Sequence, residues 1–266
     1  MGPLLREQME TLNLDPSLVK QAVITHAHPD HVMAVPALRE MFPQLCVIAS
    51  EIAAKTLSNE KAISFFCKVD GVLTGSLTKC GTVTQQHHPK PLEEMKIDVD
   101  RLVAEGDTID VDGTPLEVLG TPGHSDCSLS FFQPDEKILF ISDATGYYMH
   151  EHDCWWVNYF SSYQDYLDSM RRLADLEAEI LCLGHMAVIQ GADDVRQYFA
   201  DAITATEQCH RQILDETNSG KSPRQIAEDL GSEVFEKTQL MPLEFLQKNC
   251  SLLVKLSMKH EGISES

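Results

Sequence analysis

The spacing of apolar positions divides the N-terminal part of the chain into alternating helices and strands. An amphipathic helix is predicted at 3–13, and helices at 32–42 and 51–59 accompany short apolar runs at 21–25 and 45–49 that are typical of buried strands. This alternation is typical of an α/β domain.

The pattern changes in the middle of the chain. Residues 60–97 contain glycine, proline and apolar residues without a sustained period, so we predict an insertion or lid there that includes His87 and His88. From 100 to 142, short apolar runs separated by turn residues predict a series of antiparallel strands.

Helical patterns dominate the C-terminal part. A helix at about 162–178 and a strand at 179–184 precede a long amphipathic helix at about 191–217, and two more helical segments follow. We predict one domain at 1–190 and a helical extension at 191–266 packed on its core. For the long helix, packing on the core is favoured over a role as substrate-cleft wall or homodimer contact.

Four residues with metal-binding side chains follow the first predicted strand within six positions. His26 and His28 are two residues apart, so at a strand end they project to the same side, and Asp30 and His31 follow where the chain turns towards the next helix. Imidazole and carboxylate groups suit zinc, iron or manganese. The cluster therefore indicates a metal-binding motif, and the alternative is a polar loop that is rich in histidine.

Three further ligand-type residues follow other short apolar strands. They are His124, Asp143 and His185, and each alone is a weak signal because histidine and aspartate are common at surfaces and turns. Together with the first four, they predict that four strand ends converge on one edge of a β structure. Seven ligands are enough for two metal ions.

Composition narrows the range of partners. The formal charge of -20 disfavours a nucleic-acid backbone as partner. Eight scattered cysteines without C-x-x-C spacing favour reduced thiols, and no apolar run reaches the roughly 18 residues that a membrane span needs. We therefore expect a soluble cytoplasmic protein that acts on a small molecule and binds neither nucleic acid nor a membrane.

The segments THAHPDH, GTPGHS, ISDA and LGH resemble, in order and approximate spacing, the metal motifs of the metallo-β-lactamase superfamily, and the resemblance extends from about residue 3 to 190. It implies a four-layer αββα sandwich. By position it also implies a first metal held by His26, His28 and His124, a second held by Asp30, His31 and His185, and Asp143 as the bridge.

Two cations in such a centre ionise a bridging water near neutral pH, direct it at a carbonyl carbon and neutralise the oxyanion. No serine or cysteine nucleophile is then required. Asp30 is expected to orient the hydroxide. Zinc is the favoured metal, with iron or manganese as alternatives.

The N-terminus departs from the family pattern. Family members usually place two or three strands ahead of the first histidine of the motif, whereas one helix and one strand precede His26. The segment MGPLLREQMETLNL resembles the helix that follows those strands. We expect that the first strands are absent, because the chain either starts at an internal Met1 or is truncated.

Two ligand positions indicate a branch of the family. His28 stands where flavodiiron relatives carry Glu, and Asp143 stands where the main zinc β-lactamase class has Cys. The layout is closest to glyoxalase II and lactonase-like hydrolases, which implies a binuclear hydrolase of a small ester, thioester or lactone. The alternatives are a mononuclear iron persulfide dioxygenase and an inactive scaffold with this fold.

An aromatic segment at 147–160 follows Asp143. Such a segment suits the wall of an apolar substrate pocket, and the hydroxyl of Tyr147 or Tyr148 is a candidate catalytic group that supports an oxyanion. Trp155 and Trp156 are candidate pocket residues. The alternative for all four is packing of a loop against the core.

Overall fold

The computed structural model describes residues 2–79, 81–85, 88, 90–185, 187–239 and 241–264. The chain divides into two compact units, Met1–Ala104 and Glu105–Ser266, which we call the N-terminal unit and the C-terminal unit. Each unit has its own β-sheet, and each is described by itself.

The N-terminal unit contains a three-stranded parallel sheet in the order β1-β2-β3. Its elements are α1 (Gly2–Thr11), β1 (Gln21–Val23), α2 (Pro29–Val32), α3 (Val35–Met41), β2 (Cys46–Ala49), α4 (Glu51–Leu57), α5 (Glu60–Lys79) and β3 (Arg101–Leu102). The central strand β2 is apolar along its length because Val47, Ile48 and Ala49 are all fully buried. A strand covered on both faces has no alternation of polar and apolar residues.

The C-terminal unit is built on a six-stranded mixed sheet in the order β11-β10-β7-β6-β5-β4. These strands are β4 (Thr108–Val111), β5 (Thr114–Gly120), β6 (Leu129–Gln133), β7 (Ile138–Ser142), β10 (Ile180–Leu183) and β11 (Val188–Gln190). Strand β6 is antiparallel to both β5 and β7, and β10 is parallel to β7. The C-terminal ends of β5, β7 and β10 therefore lie at the same edge of the sheet.

The α-helices found among the described residues of this unit are α6 (Tyr163–Ala174), α7 (Ala192–Asn218), α8 (Pro223–Thr238) and α9 (Leu243–His260). Val195 and Phe199 of α7 are buried in one cluster with Leu139 and Leu181 of the sheet. The long helix therefore packs on the core, as its periodicity predicts. The domain boundary after residue 190 stays a prediction.

The prediction of an irregular insertion at 60–97 is wrong for its first half, because residues 60–79 form the helix α5. Ile63 and Phe66 are its buried apolar residues. Gly71 and Gly75 obscure the helical period, yet a Cβ at either position would meet nothing within 4 Å, so these glycines serve no packing constraint. After the helix, Nε2 of His88 lies 2.9 Å from Thr78 Oγ1, and His87 lies outside the described residues.

Two predictions about strands also need correction. The strand predicted at the start of the antiparallel series is β3, which instead pairs in parallel with β2 in the N-terminal unit. The aromatic segment contains an antiparallel hairpin that the pattern did not reveal, formed by β8 (Tyr147–Met149) and β9 (Cys154–Trp156). Its connection is a short 3-10 helix, His150–His152, followed by the cap residue Asp153 with φ of 47°, so it lacks a simple turn signature.

Within the described part of the chain, the helices are too short or too polar to span a lipid bilayer. The seven cysteines found there are all unbridged.

Candidate metal centre

The N-terminal unit supplies four of the predicted ligands from the connection after β1 and from α2. Strand β1 ends before His26, so strand geometry does not align His26 with His28, which corrects that part of the sequence argument. His28 is instead the N-cap residue of α2, in an extended conformation. Pro29 occupies the first helical position, where its fixed φ favours the start of a helix. Asp30 lies in the first turn of that helix.

The side chains of these four residues converge. His26 Nε2 lies 3.1 Å from His28 Nδ1, and the rings of His26 and His31 are 4.1 Å apart. Asp30 Oδ2 lies 3.4 Å from His31 Nε2. His26 is almost fully buried, whereas the Asp30 side chain is 46% exposed. The structure therefore brings the residues of the first motif together through a loop and a helix turn.

The C-terminal unit supplies the other three predicted ligands from strand ends. His124 lies in the connection between β5 and β6, Asp143 follows β7 directly, and His185 follows β10. These strand ends share one edge of the six-stranded sheet, as the sequence predicts. The edge of this sheet accounts for three of the four predicted strand ends, and the fourth, that of β1, belongs to the other sheet.

The Asp143 carboxylate lies between two histidines. Its Oδ2 is 3.6 Å from His124 Nε2, and its Oδ1 is 3.4 Å from His185 Nε2. Asp143 is 7% exposed and His124 only 2%. A buried carboxylate that presents a different oxygen to each of two imidazole nitrogens has the arrangement expected of a bridging ligand.

Two hydrogen bonds through Asn158 support His124. Its Nδ1 lies 2.7 Å from the backbone oxygen of Asn158, which can only accept, so Nδ1 carries the proton and Nε2 faces Asp143 with its lone pair. The hydroxyl of Tyr166 donates to Asn158 Oδ1 at 2.6 Å. Burial raises the pKa of Tyr166 well above its usual value, so the phenol stays protonated and remains a donor. Sequence reasoning missed Asn158 and Tyr166, which carry no motif.

Two glycines allow the close packing of this group. At Gly184, an added Cβ would lie 2.5 Å from Asp143 Oδ1. At Gly123, φ is 122° and an added Cβ would lie 2.3 Å from the backbone of Tyr166. Each glycine directly precedes a histidine ligand candidate, so the pairs Gly-His in the sequence were a signal that could have identified both.

The sequence model of the metallo-beta-lactamase superfamily matches residues 2–185 of this chain. The chain belongs to this superfamily. The match confirms the resemblance carried by the four sequence motifs and the predicted α/β fold with C-terminal helices.

Two relatives with named activities match parts of the chain. This chain is 23% identical over 196 residues to the atrochrysone carboxyl ACP thioesterase of Aspergillus fumigatus, covering 74% of this chain and 46% of that protein. It is 40% identical over 46 residues to a hydroxyacylglutathione hydrolase of Rhizobium meliloti, covering 17% of this chain and 18% of that protein. The chain thus spans less than half the length of either relative.

A solved structure agrees over nearly the whole chain. A metallo-beta-lactamase family protein from Thermus thermophilus superposes with a TM-score of 0.60 at 22% identity. The superposition covers 97% of this chain and 80% of that one, so the C-terminal helices beyond the region matched by the superfamily model are included.

The two tyrosines proposed from the sequence differ in their surroundings. The Tyr147 ring lies 5.4 Å from the His185 ring, next to a ligand position of the superfamily motif. The Tyr148 hydroxyl donates to the carboxylate of Asp153, and this hydrogen bond raises the Tyr148 pKa. A catalytic role stays a prediction for both, and the geometry favours Tyr147.

Trp155 lies at a cavity, whereas Trp156 packs in the core. Trp155 lines a cavity of about 450 Å³, whose other walls are Tyr148, His150, Ile189, Asp194, Gln197, Tyr198 and Asp201. Trp156 is buried in a cluster with Met149 and Leu246 and belongs to the core. The described residues that line the cavity include none of the seven predicted metal ligands.

Proposed function

We propose that the chain is a metal-dependent hydrolase that cleaves a small ester, thioester or lactone with water as the nucleophile. The observation that carries this proposal is the position of Asp143, which presents one oxygen to His124 and the other to His185. Superfamily membership supports it, because relatives of the chain include a named thioesterase and a named hydrolase.

We further propose that the seven motif residues hold two divalent ions in the superfamily arrangement. Five imidazoles and two carboxylates form a nitrogen and oxygen donor set of borderline softness, which suits zinc and also iron or manganese. When bound, two such ions supply Lewis acidity and lower the pKa of water. The ligands of the first ion would be His26, His28 and His124, those of the second Asp30, His31 and His185, with Asp143 shared.

The surrounding residues have separate tasks in this proposal. Asp30 has an exposed carboxylate beside His31, so it is suited to orient the attacking water and to accept its proton. The Asn158 backbone oxygen keeps His124 in the tautomer that directs Nε2 at the centre. Tyr147, next to His185, is the candidate donor to the oxyanion that develops on the substrate.

A thioester is the favoured substrate class. Both named relatives support it, one as an acyl-carrier-protein thioesterase and the other as a hydroxyacylglutathione hydrolase. The formal charge of -20 opposes a polyanionic substrate. We propose that the substrate is a small molecule and that the protein acts in the cytoplasm.

The test combines metal analysis with an activity panel of thioesters, lactones and β-lactams on the zinc-loaded chain. We expect two ions per chain at this centre, counted apart from any bound elsewhere, and thioester turnover. The variant Asp143→Asn should lose more than about 100-fold in kcat/KM, beyond the roughly 10–100-fold cost of removing a residue that orients a ligand. The control Asp168→Asn changes an exposed carboxylate of α6 and should retain activity.

Two results would contradict the proposal. Equal activity in Asp143→Asn and the parent would show that the carboxylate has no part in the reaction. A single iron per chain with thiol-dependent oxygen uptake would replace hydrolysis by persulfide oxidation.

A further inference from the structure

A second group of metal-binding side chains lies among the C-terminal helices. His210 lies on α7, His260 is the last residue of α9, and Glu261 is the C-cap residue of that helix. None of these belongs to the superfamily motifs, and the proposed hydrolase mechanism does not use them.

The ligand atoms of the three residues already lie close together. His210 Nε2 is 3.3 Å from Glu261 Oε1, and His260 Nε2 is 3.8 Å from the same oxygen. One ligand atom from each residue falls within 4.8 Å of the other two. Ligand bonds of about 2.1 Å in tetrahedral geometry place ligand atoms about 3.4 Å apart, so small side-chain adjustments would admit an ion.

The surroundings fix one ligand and leave the others accessible. His210 is 6% exposed, and its ring stacks on Tyr163 with centroids 3.9 Å apart and planes at 14°. The His260 and Glu261 side chains are 33% and 43% exposed, so an ion can enter from solvent. Burial lowers the pKa of His210, and the imidazole is therefore neutral near pH 7, as a ligand must be.

We propose that His210, His260 and Glu261 form a second metal site that binds a zinc-type divalent ion. Two imidazoles and one carboxylate, with water in the remaining position, are a zinc ligand set. Oxygen-preferring ions such as magnesium are disfavoured by the two nitrogen ligands.

The ion at this site has a structural role. It joins α7 to the C-terminal end of α9, across a sequence separation of 51 residues that includes all of α8. An ion bound only by the folded chain stabilises that chain by an amount that grows with the ion concentration relative to its Kd. The site therefore stabilises the packing of the end of α9 against α7.

The test counts zinc in the full chain after removal of metal, reloading with ZnCl₂ and gel filtration. The variants His260→Asn and Glu261→Gln change exposed side chains, and we expect each to carry one zinc fewer per chain than the parent. The control His88→Gln changes an exposed histidine elsewhere and should match the parent. Zinc should also raise Tm more in the parent than in His260→Asn, with equal Tm in the metal-free state.

A second background separates this site from the proposed hydrolase centre. In a chain carrying His28→Ala and His185→Ala, hydrolysis should be lost, yet His260→Asn should still remove one zinc per chain. If His260→Asn and Glu261→Gln carry as much zinc as the parent in both backgrounds, the second site does not exist. That result leaves the hydrolase proposal standing, and loss of one zinc without any hydrolysis in the parent would leave only the second site.

Discussion

The two groups of proposed ligands are built in different ways. In the N-terminal unit, four ligands occupy positions 26 to 31 and are arranged by a connection and the first turn of the short helix α2. In the C-terminal unit, three ligands lie at positions 124, 143 and 185, each behind a different strand of one sheet. The first group is local in sequence, and the second depends on long-range strand pairing.

This difference determines how each group is stabilised. The second group is set by parallel pairing of β7 with β10, by glycine at close approaches and by the bond from His124 to the Asn158 backbone. The first group has its own short-range contacts, among them the 3.1 Å approach of His26 and His28. We therefore expect substitutions in the second group to affect the stability of the fold as well as the chemistry.

The largest expected effect comes from removing one histidine from each group. His28→Ala and His124→Ala should each reduce thioester kcat/KM by more than about 100-fold, since both remove a proposed metal ligand. In the metal-free chain, His124→Ala should also lower the free energy of unfolding by about 1–3 kcal/mol, because the buried Asn158 carbonyl loses its donor. His28→Ala should cost less stability.

Urea unfolding of the metal-free variants and steady-state kinetics of the zinc-loaded ones measure these effects. Equal losses of stability in the two variants would show that the two groups do not differ in their contribution to the stability of the fold. A variant that keeps full activity would remove that histidine from the centre.

The next prediction concerns the stability cost of substituting the glycine before His124. Gly123→Ala should lower the free energy of unfolding by about 3 kcal/mol, because the methyl group would overlap the Tyr166 backbone and φ of 122° is unfavourable for alanine. The matched control is Gly113→Ala, where φ is also positive but nothing lies within 4 Å. It should cost about 1 kcal/mol. Thermal unfolding of both metal-free variants would measure the difference, and equal costs would show that the close approach is not tight.

The same contrast explains what could be predicted from the sequence. The metal motifs and most helices and strands were predictable because their signals are local: residue types two to five positions apart, or a sustained apolar period. The position of Asp143 between His124 and His185 could not be derived from spacing alone, since these neighbours follow β5 and β10. Asn158 was not predictable, because a backbone oxygen carries no residue-type signal and its partner is 34 residues away.

The helix α5 shows the opposite limit. Its glycines weaken the periodic signal, so the sequence predicts an insertion or lid there, whereas the structure has a helix in which Ile63 and Phe66 are buried. Tertiary contacts override weak propensity in such a segment. The same holds for β3, whose two residues pair with β2 only through long-range folding.

Moderate effects are expected where the support of His124 is weakened without removing it. Tyr166→Phe deletes the hydroxyl that donates to Asn158, so it should cost about 1–2 kcal/mol of stability and reduce kcat/KM by roughly 10-fold through the orientation of His124. The control Tyr159→Phe deletes a buried hydroxyl that bonds Ser257 instead. It should cost similar stability and leave kcat/KM unchanged. Equal kinetics for the two variants would show that the chain from Tyr166 to His124 is structural only.

The smallest expected effect concerns His210, a buried histidine of the C-terminal unit outside the superfamily motifs. It tests whether burial of this ring makes the stability of the fold depend on pH. Burial lowers the pKa of His210 from its usual 6.5, although Glu261 opposes the shift and His260 adds to it. The unfolded chain then binds the proton more strongly than the folded chain, so folded stability decreases as pH falls below about 6.5 towards the lowered pKa. In the presence of a chelator, Tm of the parent should therefore fall more steeply between pH 7 and pH 5.5 than Tm of His210→Gln. The exposed control His88→Gln should follow the parent, and parallel Tm profiles for the parent and His210→Gln would show that burial of this ring has no energetic consequence.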